Sequence, residues 1–229
     1  MKNLVFIHGA GNEGDVWRYV KPYLKGSCKI HTPDLPGHGK TDGIITSIDG
    51  YAEWVLEYIK ENRLSDVVLI GHSMGGAVCI KCAKDESISA LVVVDSGLKL
   101  PVSPKIINGL KEDLQKTIKT IAKWSFSKSA PEDMIKYAVK MMLDNKKVIL
   151  NDFLACSSYS GYEAAKDINI PSMVIVGDSD VMTPLELAKE TAQALKADFA
   201  TIENAGHMVQ IENPKMLSQR ISYFLKDIK

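Results

Sequence analysis

The sequence has no apolar run of membrane-spanning length. Its start, Met1-Lys2-Asn3 followed at once by Leu4-Val5-Phe6-Ile7, lacks the longer apolar stretch and small-residue cleavage site of a signal peptide. A soluble cytoplasmic chain without a membrane partner is therefore expected. Charge of one sign is also missing: Lys plus Arg number 28 and Asp plus Glu 28, with no basic stripe or acidic tail. That balance argues against nucleic acid as partner and against a substrate chosen by bulk charge. Cysteine is sparse, and Cys28, Cys79, Cys82 and Cys156 show no disulfide-framework spacing. Cys79-x-x-Cys82 falls inside an expected helix, so buried free thiols are expected rather than a redox or metal pair. No cluster of His, Cys and carboxylate has metal-ligand spacing, so neither a metal nor a cofactor is expected. Repeats, low-complexity tracts and linkers are lacking too, and 229 residues suffice for one full core, which points to a single structural domain.

What is present is a rhythm. Short apolar, β-branched runs at 3–7, 28–32, 66–71, 90–95, 172–177 and 198–203 alternate with helical patterns near 15–25, 49–62, 74–84, 184–196 and 214–227. Pro184 and Pro214 open the last two of these helices. Successive βαβ units of this kind form an α/β fold, a mostly parallel sheet of about six strands with helices on both faces. The rhythm breaks once, between Asp95 and Pro171, where no strand pattern occurs. Apolar residues there recur at helical spacing, in Ile107, Leu110, Leu114, Ile118 and Ile121 and again in Met134, Ile135, Ala138, Met141 and Met142. That stretch reads as a helical insertion. Ligands of open α/β sheets bind beyond the carboxyl ends of the strands, so the residues just after each strand are where chemistry is expected.

After the third strand comes Gly71-His72-Ser73-Met74-Gly75-Gly76, leading into a helix rich in small residues. A glycine-flanked serine on a tight strand-to-helix turn projects its hydroxyl above the sheet, and the helix N-terminus offers partial positive charge to a developing oxyanion. A serine hydroxyl needs a base, and the base needs an orienting carboxylate. Of the five histidines, His207 in Asn204-Ala205-Gly206-His207 follows the last strand, where a loop can return it to Ser73. His31 lies in or beside a strand and His38 belongs to the turn Pro36-Gly37-His38-Gly39, and both read as structural. For the acid, Asp178 and Asp180 in Gly177-Asp178-Ser179-Asp180 follow the fifth strand, and Asp95 ends the fourth.

These segments, with His8-Gly9 and Asp34-Leu35-Pro36-Gly37-His38-Gly39, resemble an α/β-hydrolase-fold serine hydrolase, esterase-like with a small helical cap, over nearly the whole chain. The resemblance implies catalytic Ser73, Asp180 and His207, Asp180 being the fourth residue of a G-x-x-D pattern. It further implies an oxyanion hole from the amides of Ala10 and Met74, a core of residues 1–97 and 169–229, and a cap of residues 98–168. Family members commonly open with a β-hairpin that this chain lacks, so the sheet should be short by two strands. Its edge then needs cover from the chain's own helices or a second subunit, hence a monomer or homodimer. The expected substrate is a small to medium uncharged carboxylic ester cleaved through an acyl-enzyme, with Met182, Met208, Trp124, Met141 and Phe153 as pocket candidates. Thioester, lactone, carbon-carbon bond hydrolysis and perhydrolysis run on the same triad, and a ligand receptor could retain it. A serine nucleophile argues against the dehalogenase and epoxide-hydrolase branches, which need a carboxylate there.

One competing pattern exists. Gly9-Ala10-Gly11-Asn12-Glu13-Gly14 is a literal G-x-G-x-x-G after a strand, with Asp34 about twenty residues on, as in an NAD(P)-binding dehydrogenase, and Tyr162-x-x-x-Lys166 resembles a short-chain dehydrogenase pair. That reading leaves His8, Ser73, Asp180 and His207 unexplained together.

Overall fold

The computed structural model describes residues 2–24 and 28–228. In chain order the first elements are β1 (Lys2–Ile7), two 3-10 segments (Gly14–Tyr19, Lys21–Tyr23), β2 (Cys28–His31), α1 (Ile48–Glu61), β3 (Val67–His72), α2 (Met74–Cys82) and β4 (Ile88–Val94). Five helices follow without a strand: α3 (Pro104–Glu112), α4 (Leu114–Trp124), α5 (Glu132–Asp144), α6 (Ile149–Ser158) and α7 (Tyr162–Ala165). The chain ends with β5 (Ser172–Gly177), α8 (Leu185–Leu195), β6 (Asp198–Ile202), α9 (Val209–Glu212) and α10 (Pro214–Asp227).

The six strands form one parallel sheet, in the order β2-β1-β3-β4-β5-β6, with helices on both faces. β3 and β5 are buried along their whole length, which is why they read as unbroken apolar runs rather than alternating ones. The edge strands β2 and β6 keep partly exposed residues. The register aligns the strand ends: Ile7 pairs Gly71, Gly71 pairs Val93, and Gly177 pairs Ile202. The residues that leave these strands therefore emerge along one edge of the sheet.

Local sequence sets the element ends. Ser47 caps α1 by accepting the Gly50 amide at 3.1 Å, and α1 buries Ile48, Tyr51, Ala52, Val55 and Ile59, one stripe at helical spacing. The expected helix near 15–25 forms instead as the two 3-10 segments, because Pro22 has no amide to continue an α-helical ladder; Lys25 lies outside the described residues. Pro214 occupies the first turn of α10, whereas Pro184 sits one residue before α8, with extended backbone. Between β4 and β5 the apolar periodicity divides at Asp113, whose carboxylate accepts the Lys116 amide at 3.1 Å and starts α4 afresh. All four cysteines are free thiols, three buried and Cys28 half-buried. Among the described residues no helix is long and apolar enough to cross a membrane.

The glycine-rich segment after β1 has a structural task. It turns on the Asn12 amide to Gly9 carbonyl bond (3.2 Å) and enters a 3-10 segment, not the α-helix of a dinucleotide site. Asp34, the residue a ribose would require, instead accepts the amides of Gly14 at 2.8 Å and Lys40 at 3.1 Å. A β-carbon on Gly14 would stand 2.1 Å from the Thr32 carbonyl oxygen, so the third glycine serves this backbone approach. Tyr162 and Lys166 are occupied elsewhere, with Glu190 and Glu163. Asp34→Ala removes an acceptor shared by two backbone amides and should lower stability by about 1–3 kcal/mol, read as a reduced urea midpoint.

Candidate active site

Ser73 bridges β3 and α2 with φ 53 and ψ −120, a left-handed conformation that side chains rarely adopt and that turns its hydroxyl out of the strand direction. The surroundings hold it there. Its amide donates to the Val94 carbonyl (3.0 Å), and its carbonyl accepts the amides of Gly76 and Ala77 and the Ser96 hydroxyl, the last at 2.7 Å. The turn can lie this close to β1 only because position 75 is glycine: a β-carbon there would stand 2.3 Å from the Ile7 carbonyl oxygen.

The trans peptide puts N–H and C=O on opposite sides, so a carbonyl whose partners are fixed also aims the following amide. The Ser73 carbonyl bonds therefore turn the Met74 amide away from them. As the first residue of α2, Met74 also has no carbonyl four residues back within the helix to receive its N–H. The Gly9 carbonyl is fixed likewise, by the His8 Nδ1–H (2.9 Å) and the Asn12 amide (3.2 Å), which aims the Ala10 amide to the other side. His8 is wholly buried and its Nε2 accepts the Leu35 amide at 3.0 Å, so one tautomer satisfies both ring nitrogens. Burial and the charge of His38 push its pKa well down, and it stays neutral.

His207 reaches the site on the loop after β6. Its Nδ1 faces Asp180 Oδ2 at 2.8 Å, and both side chains are almost fully buried. The His72 ring donates Nε2–H to the His207 carbonyl at 2.7 Å, tying that loop to the serine turn; burial, then the charge of His207, pushes His72 down to about 3. Asp180 accepts the Met182 and Thr183 amides on Oδ1 (2.7 and 3.0 Å) and the Thr183 hydroxyl on Oδ2 (2.6 Å). Burial pushes its carboxyl upward, but the charge and hydrogen bond of His207 and the bonds from Thr183 outweigh this and hold it below the usual carboxylate range. The other acid candidates are placed differently. Asp178 is exposed and takes the Ser179 hydroxyl. Asp95 is wholly buried; its Oδ1 accepts the Gly177 amide at 2.8 Å, the Val209 backbone also favours its anion, and Oδ2 has no hydrogen bond of normal geometry among the described residues. Burial, then the nearby charge of Asp180, pushes its pKa well up, which favours the neutral acid.

A cavity of about 200 Å³ opens on this edge between the sheet and the helices inserted after β4. Ser73, His207 and Ala10 lie on its wall, and so do Trp124, Phe153, Met182 and Met208. Met141 does not. It is buried within the inserted helices, and Met142, one residue further round α5, faces the cavity; helical periodicity places both near the apolar face without saying which looks outward. Among the described residues no Asp, Glu, Lys or Arg lines the cavity. No group of three or more His, Cys, Asp or Glu among the described residues could hold a metal ion. Sequence reasoning passed over Thr183, Ser96 and His72. Only Thr183 carried a signal, three residues after Asp180 and just before a helix, the spacing of a side chain that folds back on local amides.

The model of the alpha/beta hydrolase family matches residues 4–220. The putative esterase/lipase 2 of Mycoplasma pneumoniae is 30% identical, over 99% of this chain and 90% of its own. The (E)-2-((N-methylformamido)methylene)succinate hydrolase of Acinetobacter baylyi is 24% identical, over 97% and 90%. The solved structure of a thermophilic esterase superposes with a TM-score of 0.88 at 29% identity, covering 98% of this chain and 90% of that one.

Two outcomes are expected from the carboxylates. Asp180→Asn should lower kcat for ester hydrolysis by about three to four orders of magnitude, while Asp178→Asn and Asp95→Asn stay within a few-fold of the parent; the reverse order would reassign the acid. Asp95 binds its proton more tightly folded than unfolded, so folding stability is full below the unfolded pKa and declines as pH rises above it. Asp95→Asn removes that decline and should raise the urea midpoint more at pH 8 than at pH 5.

Proposed function

We propose, for a chain that belongs to the alpha/beta hydrolase family, that it is a serine hydrolase cleaving a small to medium uncharged carboxylic ester through an acyl-enzyme. The observation carrying this reading is the His207–Asp180 bond at 2.8 Å, with His207 on the wall of the cavity that Ser73 also lines. The cavity supports the substrate class. At about 200 Å³ it is smaller than the roughly 300–1,000 Å³ pockets of drug-sized ligands, and among the described residues its wall offers no Asp, Glu, Lys or Arg to an ionised acyl group. The esterase and lipase names among the relatives agree with an ester.

In this mechanism His207 Nε2 takes the proton of Ser73 as Oγ attacks the ester carbonyl, and the amides of Ala10 and Met74 receive the oxyanion. The tetrahedral species collapses with loss of the alkoxide, which the His207 imidazolium protonates to the alcohol. Water, deprotonated by His207, then attacks the acyl-Ser73 ester, and the proton returns to Oγ as the acid leaves. Asp180 stays ionised, fixing the Nδ1–H tautomer and stabilising the imidazolium. Trp124, Phe153, Met142, Met182 and Met208 provide the apolar surface for acyl and alcohol groups. All steps use this chain's groups and water.

Ser73→Ala should abolish turnover and labelling by a fluorophosphonate while leaving the thermal transition in place; retained labelling overturns the nucleophile. A panel of p-nitrophenyl esters, thioesters and lactones should show multiple turnover with preference for short, uncharged acyl esters. Single turnover across the panel would favour a receptor instead.

A further inference from the structure

A second buried carboxylate–imidazole pair lies on the outer side of the Gly9–Asn12 turn. Asp152 is wholly buried in α6, among the apolar residues Ile149, Phe153 and Ala155 of the same helix. An ionised carboxylate left unpaired in such a place would cost several kcal/mol. Three donors from three separate segments meet it: the Gly11 amide and His38 Nε2, each 2.8 Å from Oδ2, and the Tyr51 hydroxyl, 2.8 Å from Oδ1. The other ring nitrogen of His38 faces the Pro36 carbonyl at 3.2 Å. Both neighbours of the ring only accept, so the arrangement suits an imidazolium that donates at both ends and balances the carboxylate. Burial alone would push His38 down, but the hydrogen bond and charge of Asp152 raise it.

Among the described residues, the other titratable groups against this pair favour their uncharged forms. His8, with its ring centroid 4.8 Å from that of His38, is held neutral, and burial and Asp152 push the ionisation of Tyr51 and Cys156 upward.

The pair bears on the site through Gly11. On the inner side of the same turn the Gly9 carbonyl is pinned, and the Ala10 carbonyl accepts the Asn12 side-chain amide at 3.0 Å. On the outer side Asp152 holds the Gly11 N–H, so the Ala10–Gly11 peptide is fixed at both ends. Gly11 has φ +63, and a β-carbon there would stand 2.8 Å from Ile149 Cδ1, so the turn is packed directly against α6. Asn145, after α5, accepts the Gly39 amide at 2.8 Å, joining the inserted helices to the His38 loop as well.

We propose that Asp152 is a positioning residue for the hydrolysis: a carboxylate of the inserted helices, charge-matched by His38, that holds the Gly11 amide and so keeps the neighbouring Ala10 amide aimed at the oxyanion. This rests on the reading of Ala10 as an oxyanion donor. It makes the oxyanion hole complete only while the inserted helices are seated on the core.

The test is steady-state ester hydrolysis by the full chain, with active sites counted from the endpoint of fluorophosphonate labelling. Asp152→Asn should lower kcat per active site about tenfold or more and leave KM within about twofold, short of the hundredfold or greater loss when an oxyanion donor is removed outright. Tyr51→Phe, which removes a donor from the same carboxylate without touching Gly11, should lower Tm but keep kcat within about twofold. If Asp152→Asn does not fold, His38→Gln, which keeps an N–H for Oδ2 but removes the charge, carries the same two readings. An unchanged kcat per active site, or a loss confined to KM or to the active fraction, overturns the positioning role. That outcome with Ser73→Ala inactive leaves the hydrolase reading standing, whereas labelling of Ser73→Ala removes the hydrolase reading itself.

Discussion

The left-handed backbone at Ser73 is the constraint on which the rest of the site depends. Such a conformation stores on the order of 1–3 kcal/mol and persists only where the surroundings leave no alternative. Here the amide is fixed to β4 and the carbonyl to Ser96 and the start of α2, while glycine at 75 lets α2 lie against the β1 backbone. Release of that turn would lose several bonds at once. Because the carbonyl is fixed, the Met74 amide direction is fixed as well, and the proposed nucleophile and one proposed oxyanion donor are set by a single geometric fact.

Much of the fold was legible because its signals are local. Six β-branched runs separated by helical patterns placed all six strands to within a residue or two, and a stretch without strands between β4 and β5 gave the inserted helices. What was not legible depended on single residues or on distant partners. Pro22 turned an expected helix into 3-10 segments, and Asp113 divided one periodic stretch into two helices. In the site, glycine spacing pointed to Ser73, and strand order pointed to His207 and to two or three carboxylates. The supporting contacts were silent, because His72 to His207 spans 135 positions and Asp152 to Gly11 spans 141. No periodicity encodes contacts of that range. The turn at Gly9–Gly14 shows the converse error: a sequence pattern shared by two architectures is settled by what its partner carboxylate bonds, and Asp34 bonds backbone.

The histidines show how far partners, rather than residue type, decide chemistry. His8 has one acceptor and one donor around its ring and is neutral; His38 has acceptors at both nitrogens and is suited to the charged form. His72 donates to a carbonyl and leaves Nδ1 buried without a partner among the described residues, so burial keeps it neutral. His207 is the histidine whose Nδ1 is held by a carboxylate while the ring lies on the cavity wall. A base must change charge during a reaction, and of these four rings only His207 combines a compensating carboxylate with access to the space where a substrate would sit.

The same reasoning ranks the buried carboxylates. Asp180 collects two amides, a hydroxyl and an imidazole; Asp152 collects an amide, a hydroxyl and an imidazole; Asp95 has only backbone partners, the Gly177 amide at 2.8 Å and, more weakly, Val209. A buried carboxylate needs donors enough to replace the lost water, and Asp95, with the fewest, is the one whose pKa is pushed well up. Asp95 and Asp180 are also coupled, because the charge of Asp180 raises the pKa of Asp95. Two anions at adjacent strand ends would repel, and the upward shift of Asp95 relieves that repulsion, while His207 and Thr183 hold the Asp180 carboxyl low. What distinguishes Asp180 among the candidate acids is thus the turn after it, whose Met182 and Thr183 amides and Thr183 hydroxyl fold back onto it, and not which strand it follows. Asp95 ends its strand with no such turn to fold back on it, and that difference separates the two candidate positions.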